Sequence, residues 1–204
     1  MMTDIISFAL FAVLATAGSC YELRADIPDH LVPGTCPQVN EEELWKLQKP
    51  RYFQLAGKWF QQAVTPNKFQ PMERCVETQY NWDGEGFHMR STGLKGTEVV
   101  ATEGRVYPQP HGMPNLEITH QHAFPAPLLL LETDFLNYAC MYSCLELGGG
   151  FKTDLAFVYS RQREMHPAYM RICESAYGKI GFDLGRLFKT SQGEDCSNAT
   201  LVSA

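Results

Sequence analysis

The chain of 204 residues reads as an all-β protein with one late helix, on three observations. Runs of alternating apolar and polar residues recur eight times between residues 54 and 161, with short turns between them. No helical periodicity interrupts these runs. A 3.6-residue spacing appears only afterwards, over 167–177. Short strands at this spacing describe an up-and-down antiparallel barrel or a sandwich, with a helix on the outside.

The first 25 residues are read apart from the fold. Residues 5–17 are apolar, too short for a bilayer span and followed by small side chains, which is the pattern of a secretory signal peptide cleaved between Ala17 and Ala25. No other run is long enough to cross a membrane. The domain is placed at 26–196, and 197–204 form a polar tail with one glycosylation sequon at Asn198. An irregular lead-in, rich in Pro, Gly and Glu, covers 26–50, with one helical turn expected near 41–47.

The first strand is expected over 54–64. Period two puts Leu55, Gly57, Trp59, Gln61 and Ala63 on one face and Ala56, Lys58, Phe60, Gln62 and Val64 on the other. Gly57 is poor strand material and marks a close approach of another backbone. Trp59 offers a large apolar face, suited to closing one end of a barrel. Val76, Thr78, Tyr80 and Trp82 alternate with polar residues, Asp83-Gly84-Glu85-Gly86 turns the chain, and Phe87, Met89 and Ser91 return on the same face. Further strands follow at 97–107, 115–122, 128–135, 138–144 and 153–161. The run Leu128-Leu129-Leu130-Leu131 is apolar on both faces, so it is covered on both sides, outside by either the helix or a partner protein. The helix shows Tyr169, Ile172, Cys173 and Ala176 on one face, with Gly178 as its stop.

The net charge of −6, with no basic cluster, argues against nucleic acid or an anionic membrane as partner. Of the seven cysteines, Cys20 leaves with a signal peptide cut after it, and the remaining six fit three bridges in fifteen possible pairings. Cys140 and Cys144 share a strand face, and Cys173 lies on the apolar face of the helix. With the helix outside, Cys140–Cys173 is the natural short bridge, and Ala139, Met141 and Ser143 point inward. His120 and His122 share a face, but no Cys or acidic residue is spaced to complete a metal site. Nucleophile elbows, zinc-protease motifs and phosphate loops are missing, so an enzyme is not expected.

Three signals then coincide in order: Gly57-Lys58-Trp59 on the first strand, Thr133-Asp134-Phe135 at a later turn, and Arg161 at the end of the last strand. This resembles the lipocalin pattern of Gly-x-Trp, Thr-Asp-aromatic and an arginine over the tryptophan, with Phe135 where tyrosine is commoner. The segments Val32–Cys36, Phe124–Leu128, Leu131–Cys144 and Phe157–Arg161 are similar to the crustacyanins, the carotenoid-binding lipocalins of crustacean shell. The resemblance runs from about Ile27 to Cys196. It implies an eight-stranded lipocalin barrel with one C-terminal helix packed outside. It also implies the bridges Cys36–Cys144, Cys75–Cys196 and Cys140–Cys173.

The inward faces name Gln61, Thr78, Tyr80, Trp82, Phe87, Met89, Ser91 and Met141, which suit a long apolar ligand with a few oxygens. By resemblance, Gln61, Gln70, Tyr80 and Ser91 line the pocket of a carotenoid end ring, and Phe124 joins the ligand set. Thr78 stands where that family has asparagine, Asn115 where it has histidine and His120 where it has tyrosine. The resemblance implies non-covalent binding of astaxanthin as chromophore, no metal, and a homo- or heterodimer with a second subunit of the same type. It places the protein outside the cell, in cuticle or haemolymph. The alternatives are a carrier like apolipoprotein D or bilin-binding protein for a fatty acid, sterol, retinoid or bilin, a cuticle protein with a filled barrel, and a lipocalin-fold isomerase with a reactive calyx cysteine.

Overall fold

A computed structural model describes residues 31–40, 44, 51–108, 116–120 and 125–198, the backbone alone for 108, 116–120 and 197–198. The signal segment, Cys20, nearly all of the expected turn at 41–47, Asn115, His122 and Phe124 lie outside the described residues. Ten strands form one antiparallel sheet: β1 (Leu31–Pro33), β2 (Gly57–Val64), β3 (Arg74–Trp82), β4 (Phe87–Lys95), β5 (Glu98–Pro108), β6 (Leu116–His120), β7 (Ala126–Thr133), β8 (Tyr138–Gly148), β9 (Phe151–Ser160) and β10 (Phe188–Lys189). Strands β2 to β9 run up and down in sequence order, and β9 returns to pair with β2 and closes the barrel. The expected barrel of eight strands is therefore present; β1 and β10 are short additions at β9 and β2.

The expected first strand begins three residues late. Tyr52–Leu55 form a 3-10 turn instead, because Ala56 N–H closes back on the Phe53 carbonyl. A register shift between Gln61 and Ala63 makes a second correction: past it the faces exchange, so Ala63 joins the outer cluster and Val64 packs on the inner one. The bulged Gln62 is buried and donates its amide to the Arg163 carbonyl at 3.1 Å. Cys75 sits at a matching irregularity in β3, with φ of 56°.

Beyond Phe60, β2 no longer pairs with β3; their shared ladder covers only Gly57–Phe60 against Glu77–Tyr80. The C-terminal segment fills this gap. Phe188 and Lys189 pair with Val64 and Ala63, Thr190 N–H donates to Gln62 O, and Cys75 N–H donates to Ser191 O. The Gln192 amide spans both strands, donating to Gln61 O at 2.9 Å and Val76 O at 2.7 Å. Backbone groups that the sheet leaves unpaired are thus satisfied by a strap from the far end of the chain. The Cys75–Cys196 bridge fixes it, and on the chain-entropy argument closing a loop of this length stabilises by about 4–5 kcal/mol. Cys36–Cys144 and Cys140–Cys173 complete the three bridges.

The helix α1 (Pro167–Lys179) starts at a His166 cap with Pro167 in its first turn. It runs through Gly178 and ends at Gly181, whose φ of 69° suits the left-handed stop; Gly181 and Phe182 N–H groups bond back to Gly178 and Tyr177 carbonyls. Cys173, Ala176 and Tyr177 pack on Leu129, Leu131, Tyr142 and Val158, while Ile172 faces outward, 37% exposed. The outer side of the doubly apolar strand is therefore covered by α1, not by a partner. Tyr177 reaches through to the wall and donates to the Phe157 carbonyl at 2.8 Å. Among the described residues, no helix is long and apolar enough to cross a membrane.

Asp154 holds the segment after α1. It is 1% exposed, accepts from Tyr142 Oη at 3.0 Å and Lys152 Nζ at 2.9 Å, and pairs with Arg186. Burial alone raises its pKa, but the hydrogen bonds from Lys152 and Arg186 prevail and hold it below the usual carboxylate value. Its contribution to stability is complete above about pH 4 and is lost as pH falls through the lower folded-state value. Asp154→Asn should cost about 3 kcal/mol at pH 7, and urea melts should show a smaller acid-induced loss in the variant than in the native chain. Gly57 has φ of 99°, and a Cβ there stands 3.1 Å from Arg161 Nη1. Gly57→Ala should therefore lower stability by about 1–3 kcal/mol, read as a fall of several degrees in the melting temperature.

Candidate functional site

The barrel has a sealed end and a hollow middle. At the sealed end Trp59 is fully buried, donates its indole N–H to the Leu55 carbonyl at 2.8 Å, and is covered by the Arg161 guanidinium, 3.8 Å from its ring centre. Arg161 also donates to the carbonyls of Lys58 at 2.9 Å, Gln54 at 2.6 Å and Phe135 at 3.3 Å. Phe135 adopts φ of 66°, a costly conformation for a side chain of its kind. Asp134 holds it there by accepting from the N–H groups of Leu136, Asn137 and Tyr138, and the Thr133 hydroxyl accepts from Phe135 N–H. The close approach at Gly57 is thus made by a side chain, Arg161, where another backbone was expected.

Trp82 and Phe87 belong to this plug rather than to the hollow. Their rings meet at 5.0 Å, and Tyr52 from the 3-10 turn closes on Trp82 at 5.5 Å. They are inward, as their alternation predicts, but they stand at the strand ends beneath Tyr52 and are spent on filling the floor.

Above the plug lies a cavity of about 310 Å³ counted out to its open mouth, narrow enough that the walls leave barely the width of a water molecule. Its walls are Gln70, Tyr80, Met89, Ser91, Thr102, Leu128, Met141, Phe157 and Tyr159. Of the sequence-derived ligand set, Gln70, Tyr80, Met89, Ser91 and Met141 meet here. Thr78 stands beside them, its hydroxyl 2.8 Å from that of Ser91. Gln61 is not one of these walls: its amide nitrogen donates to the Thr190 hydroxyl at 2.8 Å, its Oε1 is buried without a partner, and it stands in register with Tyr159. His120 lies in register with Gly104, in the cross-strand row of Met89 and Tyr80, and the row is all the backbone fixes of it.

The sequence gives no lining role to Thr102, Phe157 or Tyr159, and it marks Leu128 only as part of the doubly apolar strand. For Thr102 the signal was available, since it shares the parity of the buried Val106 along β5. Tyr159 and Phe157 lie in Phe157-Val158-Tyr159, where apolar residues fill both faces and period two gives no sign. Their rings lie nearly parallel at 6.4 Å.

The cavity is polar in one band. Thr78, Ser91 and Thr102 stand in register across β3, β4 and β5. The Tyr80 hydroxyl lies 3.9 Å from Met141 Sδ, and hydrogen bonding from Thr78, Gln70 and Tyr80 offsets part of the rise that burial imposes on the Tyr159 phenol. Burial pushes the phenols of Tyr80 and Tyr159 up, and Tyr177 likewise. The cluster of Cys75, Asp195 and Cys196 offers no cation site, since both sulfurs are bonded to each other.

The chain matches the model of the lipocalin / cytosolic fatty-acid binding protein family over residues 56–194. It is 41% identical to the crustacyanin-C1 subunit of Homarus gammarus, over 83% of this chain and 94% of that one. Among solved structures, an apocrustacyanin C1 superposes with a TM-score of 0.79 at 40% identity, covering 86% of this chain and 98% of the other. Apolipoprotein D of Macaca fascicularis is 26% identical over 79% of this chain and 83% of its own length.

Raised phenols give a sign-defined test. Their neutral form is the one the fold accepts, so this stability is complete below about pH 10 and is lost as pH rises toward the folded-state values. In an absorbance titration of the nine tyrosines, Tyr80, Tyr159 and Tyr177 should stay protonated beyond pH ~10.5 and ionise together with unfolding.

Proposed function

The chain belongs to the lipocalin / cytosolic fatty-acid binding protein family, within it to the crustacyanin lipocalins, and we propose that it binds a carotenoid, astaxanthin, in its calyx as a secreted pigment-protein subunit. The family is one of binding proteins, and this chain is not an enzyme. The observation that carries the ligand class is the cavity itself: Met89, Met141, Leu128 and Phe157 offer soft apolar walls, and the band around Ser91 and Tyr159 offers polar partners inside them. A polyene with oxygenated end rings matches that division in its chemistry; the walls, barely the width of a water molecule apart, move outward to admit one end ring, and the chain leads out through the mouth.

The cavity is too small for a whole forty-carbon ligand. The remainder needs cover, which a second subunit of the same type supplies. Ligand contacts are assigned to Gln70, Thr78, Tyr80, Met89, Ser91 and Met141, with His120 in the same row and Asn115 and Phe124 kept from the resemblance. Gln61 acts through the strap that it holds. Asn198 next to the bridged Cys196 would carry a glycan on the secreted form.

The experiment is an absorption titration of the oxidised protein with astaxanthin, alone and with a crustacyanin subunit. Saturable binding with a red shift, weakened roughly tenfold by Ser91→Ala or Met141→Ala, is the expected result. Saturable binding of a fatty acid or sterol with no astaxanthin binding would favour a carrier like apolipoprotein D instead. No ligand at all would leave the barrel as a filled structural one.

A further inference from the structure

At the end of the barrel opposite Trp59 the rim is uneven. The hairpin of β8 and β9 outruns its neighbours: its ladder to β7 stops at Leu129–Tyr142, and its ladder to β2 stops at Val64–Phe157. Beyond those pairs β8 and β9 continue to Gly148 and Phe151, flanked among the described residues only by the short β1. Opposed residues of a strand pair share a face, so the inner face runs from Met141 and Phe157 through Leu155 out to Leu147 and Phe151. Leu31 of β1, opposite Thr153, joins this face, and so does Phe188 of the strap, opposite the inward Val64. Leu31, Leu147, Phe151 and Phe188 are exposed by 44%, 41%, 45% and 58%. Large apolar side chains thus stand in water along one side of the mouth, on the face that continues the cavity wall.

Together the four expose on the order of 400 Å², half of the ~800 Å² that each partner buries in a stable protein interface. A lipid surface needs no complementary shape, and binding to it scales with the apolar area that enters. The charges nearby favour neither sign of headgroup: Glu146 stands opposite Lys152, Lys95 opposite Glu98, and Arg74 pairs with Asp195.

We infer that the mouth of this barrel docks on a zwitterionic lipid surface, with Leu147 and Phe151 of the hairpin, Leu31 beside them and Phe188 of the strap entering the headgroup layer. Leu155 links Phe151 to Phe157 of the cavity, so an apolar ligand passes between lipid and calyx along one dry face. Transfer along that face avoids the passage through water, the costly step for an apolar molecule. The inference needs a calyx for an apolar ligand and does not depend on that ligand's being a carotenoid.

The test is flotation of the oxidised protein, free of ligand, with phosphatidylcholine vesicles, read as a partition coefficient. The native chain should float at saturating lipid, and added salt should not release it. Phe151→Ser and Phe188→Ser should each lower the coefficient roughly tenfold. Leu136→Ser at the sealed end, where the side chain is 69% exposed, should leave it unchanged. Near-ultraviolet circular dichroism identifies folded variants. No flotation of the native chain, release by salt, or equal losses in all three variants would overturn the inference. A dimer of the ligand-free chain that Phe151→Ser dissolves, with no vesicle binding, would give the rim to a second copy instead. Vesicle binding without astaxanthin binding would sink the pigment reading alone, and astaxanthin binding without vesicle binding would sink the docking alone.

Discussion

The contact between Arg161 and Trp59 is the constraint around which the barrel is arranged. One guanidinium covers an indole face and captures carbonyls from the 3-10 turn, from β2 and from the turn before β8. Two regions far apart in sequence, 54–58 and the turn at Phe135, are thereby tied to the end of β9 by a single planar fork of donors, a geometry that lysine cannot reproduce. Burial lowers the Arg161 pKa somewhat, and Asp134 acts in the opposite sense. Because the floor is fixed this way, the aromatic rings above it have something rigid to stack on. The cavity begins only where that stack ends.

The other end of the barrel is organised by a deficit. Strands β2 and β3 separate after four residue pairs, leaving main-chain groups that need partners. The strap at 188–192 meets that need, and in doing so takes the Gln61 amide and binds the two strands through Gln192. What enters the cavity wall and what is consumed by the wall's own hydrogen bonding is decided here. Gln70 lines the cavity, while Gln61 gives its amide nitrogen to the strap and keeps its Oε1 buried without a partner.

Much of this was legible in the sequence because period two is a physical requirement of a sheet with one dry face. The alternation around Thr78, Tyr80, Met89 and Ser91 placed those residues inside, and the motif of Gly57, Trp59, Thr133, Asp134 and Arg161 placed the sealed end. The helix position and the Cys140–Cys173 bridge followed from facing rules. What was not legible depends on contacts between distant segments. The bulge at Gln62 reverses parity without any local sign, and the strap is set by pairing across more than a hundred residues. Trp82 and Phe87 alternate like lining residues, yet their depth in the barrel, which alternation does not encode, makes them floor. Tyr159 is hidden within an apolar run, so its hydroxyl had no signal apart from the partners the fold brings to it.

The strap also imposes a chronology. Its docking groove does not exist until β2 and β3 are both in place, and the groove's two sides come from residues 61–64 and 74–76. The strap therefore docks only on a wall that already holds both strands, and the Cys75–Cys196 bridge ties it to β3. Without the strap the wall is open only beyond Phe60, since Gly57–Phe60 pair directly with Glu77–Tyr80. The wall is thus completed by a segment more than a hundred residues away in sequence, and the Cys75–Cys196 bridge locks that completion covalently.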